Sequence, residues 1–142
     1  MADDRFRDPE VIRRILADTS VWAVIGLGGD PERAAYDVAA FLQAHGKRII
    51  PIHPRAAEVL GEQGYTNLAD VPAEIDIDVV DVFRRSSEAG KSVDDAITRG
   101  ARAVWLQLGV VDAAAAERAA AAGLDVVMDT CPKIEWPRHG PT

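Results

Sequence analysis

The chain contains little cysteine, histidine or aromatic residue and no long apolar run, and each shortage narrows what it can be. It has one cysteine, Cys131, so it forms no internal disulfide, and a reducing, cytoplasmic setting is expected. Its histidines are His45, His53 and His139, and with no cysteine pair beside them no metal site is expected. No stretch approaches the ~18 consecutive apolar residues of a membrane span. The opening residues, Met1-Ala2-Asp3-Asp4-Arg5-Phe6, are acidic and lack the apolar segment of a secretory leader. Lys and Arg number 16 against 23 Asp and Glu, a formal net charge of −7. That balance argues against a broad nucleic-acid surface, which concentrates positive charge, although local basic clusters can still hold a small anion. There is no internal repeat.

What remains is a chain of 142 residues, 48% apolar, which suits one domain around one sizeable core. Asp8-Pro9 opens a helix over about 8–17, with Val11, Ile12, Ile15 and Leu16 at helical spacing. Val21–Ile25 reads as strand 1. A helix then runs from Pro31 to about His45, capped by Asp30 and stopped by Gly46. Arg48–His53 is strand 2. Residues 54–74 are irregular, with a helical turn or two at Ala56–Leu60 and a loop around Tyr65–Leu68 that covers a sheet edge. Ile77–Phe83 is strand 3, and a helix follows from its cap at Ser92 to Gly100. Ala103–Leu108 is strand 4, a helix capped by Asp112 ends at Gly123, and Asp125–Met128 is strand 5. Residues 129–142 read as an irregular tail. Alternating strands and helices predict an α/β, Rossmann-like, doubly wound parallel sheet of five strands in a three-layer α/β/α arrangement. The expected strand order is 3-2-1-4-5, with any ligand beyond the carboxyl ends of the strands where the order reverses.

The loop after strand 1 carries the strongest signal. Gly26-Leu27-Gly28-Gly29-Asp30-Pro31 joins a buried strand to a helix, and the free N–H groups of a helix start favour an anion. The dinucleotide fingerprint G-x-G-x-x-G is incomplete, because Pro31 stands at its third glycine. Strand 2 ends in His53-Pro54-Arg55, without the acidic residue that holds two ribose hydroxyls. Arg55 favours a ligand with a phosphate on the ribose, as in NADP and coenzyme A. Strand 3 ends in Phe83-Arg84-Arg85. The ring suits an adenine and a guanidinium pairs bidentately with phosphate. Arg33 reaches the same region and Lys91 adds charge. Structural readings stand beside these: Arg33 as a partner of Asp37, Phe83 as core, and His53 as a partner of loop backbone.

In these pieces the chain resembles the small stand-alone CoA-binding proteins, whose fold is like the CoA-binding domain of the succinyl-CoA synthetase alpha subunit. The matching segments are Ala23–Leu27, Asp30–Arg33, Ile50–Pro54, Val79–Arg84, Val104–Gly109 and Val126–Glu135, in the family's order and over nearly the whole chain. The resemblance implies that CoA lies over the strand ends, with its pyrophosphate at Gly26–Gly28 and at the following helix. By position it implies binding by Arg33, Tyr36, His53, Pro54, Phe83 and Arg84, and Ala35 beside them is a further candidate. Three positions depart from the family. His53 replaces the usual Asn, Ala34-Ala35 replaces Pro-Ser or Pro-Ala, and Thr130 replaces Arg. The first two touch the expected pocket, and the third bears on the Cys131 loop.

No catalytic set emerges. Cys131 is the one tempting nucleophile, lying near Asp129 and Lys133, and a lone cysteine is more often inert. Asp129 and Glu135 read as structural. Three functions remain open: a CoA or acyl-CoA binding module without chemistry of its own, an enzyme using NADP or another nucleotide, and an interaction protein whose nucleotide site has decayed. Exposed sheet edges and helices leave room for a homodimer.

Overall fold

The computed structural model describes residues 4–141. Residues 1–3, which begin the segment read for a leader, lie outside the described residues, as does Thr142 of the tail. No helix among the described residues is long and apolar enough to cross a membrane.

Helix α1, Pro9–Asp18, starts where Asp8 accepts a hydrogen bond from the Glu10 N–H at 2.9 Å. It buries Ile12, Ile15 and Leu16. Strands β1 (Val21–Ile25), β2 (Arg48–Ile52), β3 (Val79–Val82), β4 (Ala103–Leu106) and β5 (Asp125–Met128) are short and almost wholly buried, as parallel strands covered on both faces must be. Helices α2 (Ala34–Ala44), α3 (Ser86–Arg99) and α4 (Ala113–Ala121) connect them. Helix α5, Pro132–His139, closes the chain.

The sheet is parallel and five-stranded, and the fold is Rossmann-like, as expected. Its order is β2-β1-β3-β4-β5, not 3-2-1-4-5. The strand after β2 does not take the outer edge of β2, which carries one isolated bridge at its carboxyl end instead. Tyr65 pairs there with Ile52, its N–H donating to the Pro51 carbonyl at 2.9 Å while its carbonyl accepts from the His53 N–H at 3.0 Å. The loop at Tyr65 therefore covers an edge, as read, and β3 crosses to the free side of β1. Asp78 secures that pairing by accepting from the Ser20 and Val21 N–H groups at 2.8 and 2.9 Å. The topological switch now falls between β1 and β3.

Four local expectations are corrected. Asp30 caps a turn over 31–33 by accepting from the Glu32 N–H, so α2 begins at Ala34 with Arg33 in the cap position. Helix α3 starts at Ser86, and Ser92 lies buried inside it. Ala56–Leu60 is not helical, since Ala56 and Leu60 both take positive φ and Val59 bridges to Glu62. The tail contains α5 despite Pro137, with Pro132 at its first turn and Trp136 edge-on to Phe41 at 5.8 Å.

One face of the sheet packs Ala23, Ile25, Val80, Val82, Val104 and Leu106 with the alanines of α3 and α4. The other packs Trp22, Val24, Val79, Trp105 and Val127 with α1 and α2. Cys131 belongs to this second face.

Candidate functional site at the strand ends

Three loops meet at the carboxyl edge of β2, β1 and β3 because small residues let them. Gly26 has φ +98°, and a Cβ there would lie 2.5 Å from the Phe83 carbonyl oxygen. A Cβ on Gly28 would lie 3.2 Å from the His53 ring. The Gly26 N–H donates to Ile52 at 2.8 Å and the Phe83 N–H to Ile25 at 3.0 Å, so the ladder continues into the loops.

Above them opens a cleft of about 1130 Å³ that extends along the whole carboxyl edge. From the loop after β2 come His53 and Arg55, from the loop after β1 come Gly26, Gly28 and Arg33, and from the first turn of α2 comes Ala35. The end of β3 gives Phe83, Arg84 and Arg85. These nine expected site residues line one hollow. Three others do not. Leu27 is fully buried in the core, Tyr36 packs against the second face, and Pro54 is exposed outside the cleft wall. Lys91 pairs with Asp95 at 3.2 Å and lines a smaller hollow of about 330 Å³ that shares Arg84.

The far end of the cleft comes from residues that sequence reasoning placed only nearby or missed. Gln107, Leu108 and Val110 follow β4, Val38 comes from α2, and Cys131, Lys133 and Ile134 from the start of α5. Asp129 joins the two loops there, accepting from the Gly109 N–H at 2.8 Å. Thr130 is fixed as well, its hydroxyl donating to Glu135 at 2.8 Å and its carbonyl accepting from the Trp105 indole at 3.0 Å. Asp129 and Glu135 are thus structural partners, as read.

The cleft is polarised. Arg33, Arg55, Arg84 and Arg85 gather at the β2, β1 and β3 ends, and Leu108, Val110, Cys131 and Ile134 at the β4 and β5 ends, where Lys133, the one cation among the described residues lining that end, is paired with Asp37. The first turn of α2 adds N–H groups without partners inside the helix. Arg33 is open to ligand, because its contact with Asp30 is long (3.7 Å) and solvent-exposed. Asp37 pairs with Lys133 at 2.9 Å, not with Arg33. Phe83 packs on the core and lines the cleft. The His53 Nδ1 accepts from the Arg55 N–H at 3.2 Å, which leaves its proton on Nε2. Burial, and then Arg84 and Arg55, hold the His53 ring below its ordinary pKa.

A parallel α/β sheet with a glycine turn, a helix start and arginines at its switch point defines a Rossmann-like protein with an anion-ready cleft. The family profile described as "CoA binding domain" matches residues 20–137. The chain belongs to this CoA-binding domain family. It is 33% identical over 123 residues to the uncharacterized protein YneT of Bacillus subtilis, covering 87% of this chain and 90% of that one. It is 34% identical to the structure of a hypothetical protein from Pyrococcus horikoshii OT3, with TM-score 0.87, covering 98% and 99% of the two chains. A 64-residue segment, 44% of this chain, is 33% identical to 14% of the alpha subunit of an ADP-forming acetate–CoA ligase II of Pyrococcus furiosus.

Proposed function

We propose that this chain binds coenzyme A, free or acylated, along the strand-end cleft, and acts as a binding module without catalysis of its own. The observation that carries the reading is the polarity of the cleft. Phosphates suit the arginines at the β2, β1 and β3 ends, with the pyrophosphate over Gly26–Gly28 and the first turn of α2. Phe83 offers an apolar wall to the adenine. The pantetheine arm then runs past Gln107 and Leu108 toward Cys131 and Ile134. His53 stands where the family has Asn, with its ring at the cleft wall beside Gly28.

Thermal melting with CoA, dephospho-CoA, NAD and NADP tests the reading. A ligand at ~100 times its Kd that binds only the folded state adds about 2.7 kcal/mol of stability. CoA should raise the melting temperature, and dephospho-CoA should raise it less, because the arginines lose the ribose phosphate. A shift with NADP alone would point to a redox enzyme. No shift with CoA would overturn the proposal.

A further inference from the structure

We infer that Cys131 is a site of mixed-disulfide formation with the thiol end of the bound ligand. The inference rests on the CoA reading above. Cys131, the chain's one cysteine, lines the end of the cleft away from the arginines. The ligand's reactive end is itself a sulfur, so the two thiols meet only if the lengths agree.

They do agree. The strand order β1-β3-β4-β5 separates the glycine loop from the Cys131 loop by three strand spacings, roughly 14 Å. About twelve bonds run from the pyrophosphate ester oxygen of CoA to its sulfur, and an extended chain of that length reaches roughly 14 Å. A second observation marks the path between. Gln107 lines the same cleft, is 5% exposed, and its amide oxygen meets no donor among the described residues. A buried acceptor without a partner takes the first suitable donor that arrives. The pantetheine arm carries two amide N–H groups.

The step is thiol–disulfide exchange with the disulfide of CoA. Cys131 gives its proton to solvent, and its sulfur attacks one sulfur of the CoA disulfide. The old S–S bond breaks as the new one forms, and one CoA leaves as a thiolate and takes up a proton. No further oxidant is required.

The test is intact mass under non-reducing conditions after incubation with CoA disulfide, alongside melting with reduced CoA. The expected result is a gain of one CoA less two hydrogens, reversed by dithiothreitol and absent in Cys131→Ser. Because the nucleotide positions the sulfur, the adduct should form at least about tenfold faster than with glutathione disulfide. Equal rates with the two disulfides would overturn the inference. So would the absence of an adduct on a protein that reduced CoA stabilises, a result that leaves the binding proposal standing. Neither adduct nor stabilisation would overturn both.

Discussion

On one face of the sheet, α3 and α4 press Ala89, Ala96, Ala115, Ala116 and Ala119 into a layer with Val80, Val82, Val104 and Leu106. On the other, Trp22 and Trp105 sit 5.7 Å apart, and polar groups are drawn in with them. The Trp22 indole donates to Thr19 at 2.9 Å and the Trp105 indole to Thr130 at 3.0 Å. The Lys47 ammonium is buried against the Leu16 and Thr19 carbonyls, and burial lowers its pKa. Asp81 projects to this face from the middle of β3, between Val24 and Trp105, fully buried with both carboxyl oxygens unpartnered among the described residues. Close packing of small residues holds the first face. The second combines large rings with specific polar contacts, and at its carboxyl edge it opens into the cleft.

The contrast is broken most strongly by Trp105→Ala. Removing that ring should cost about 3–5 kcal/mol in urea unfolding. On the alanine face the sensitivity is reversed, and Ala116→Leu should cost about 1–3 kcal/mol by overpacking. Equal tolerance of both changes would erase the distinction between the faces. At the cleft, Arg84→Ala and Arg33→Ala should each weaken CoA binding by about 1–3 kcal/mol, read by isothermal titration. Arg14→Ala, which removes a partner of Asp125 away from the cleft, should leave binding unchanged.

Asp81 sharpens the comparison further. Desolvation raises its pKa well above the ordinary carboxylate value. Its contribution is therefore fully present below the unfolded-state pKa and is lost as pH rises toward the folded-state value. Over that window the folded chain holds a proton that the unfolded chain does not. Stability should fall with rising pH by up to about 1.4 kcal/mol per unit, and Asp81→Asn should flatten the slope. Unfolding curves at several pH values check it, and an unchanged slope in the variant would assign the titration elsewhere. The smallest effect belongs to His53. A bound phosphate opposes the pull of burial, Arg84 and Arg55 on its ring, so binding takes up a proton. CoA affinity should rise as pH falls through the histidine range, by at most about tenfold per unit of pKa change. His53→Asn should reduce that rise.

Much of this was legible because local chemistry repeats. Asp8 and Asp112 cap as their positions suggest, Gly100 ends its helix in the left-handed region, and the strands stand where β-branched runs stand. Strand order was not legible, because β3 reads alike whichever edge it joins, and it pairs with β1 across the sheet from β2. The start of α3 was hidden because Arg85 offers no side-chain cap, while Ser92 looks like one. Pro137 disguised α5, and with it the half of the cleft that Lys133 and Ile134 supply. The arginine half could be read because each of its residues sits in a loop directly after a strand. Leu27 fitted the motif by position, but its side chain is spent on the core.

The solitary carboxyl of Asp81 also makes unfolding an acid-releasing reaction. Between the ordinary carboxylate range and Asp81's own, each molecule that opens delivers a hydrogen ion to the buffer, and each that refolds withdraws one. The heat of melting should then depend on which buffer receives that ion, a signature that calorimetry reads without a mutant, a ligand or knowledge of the cleft.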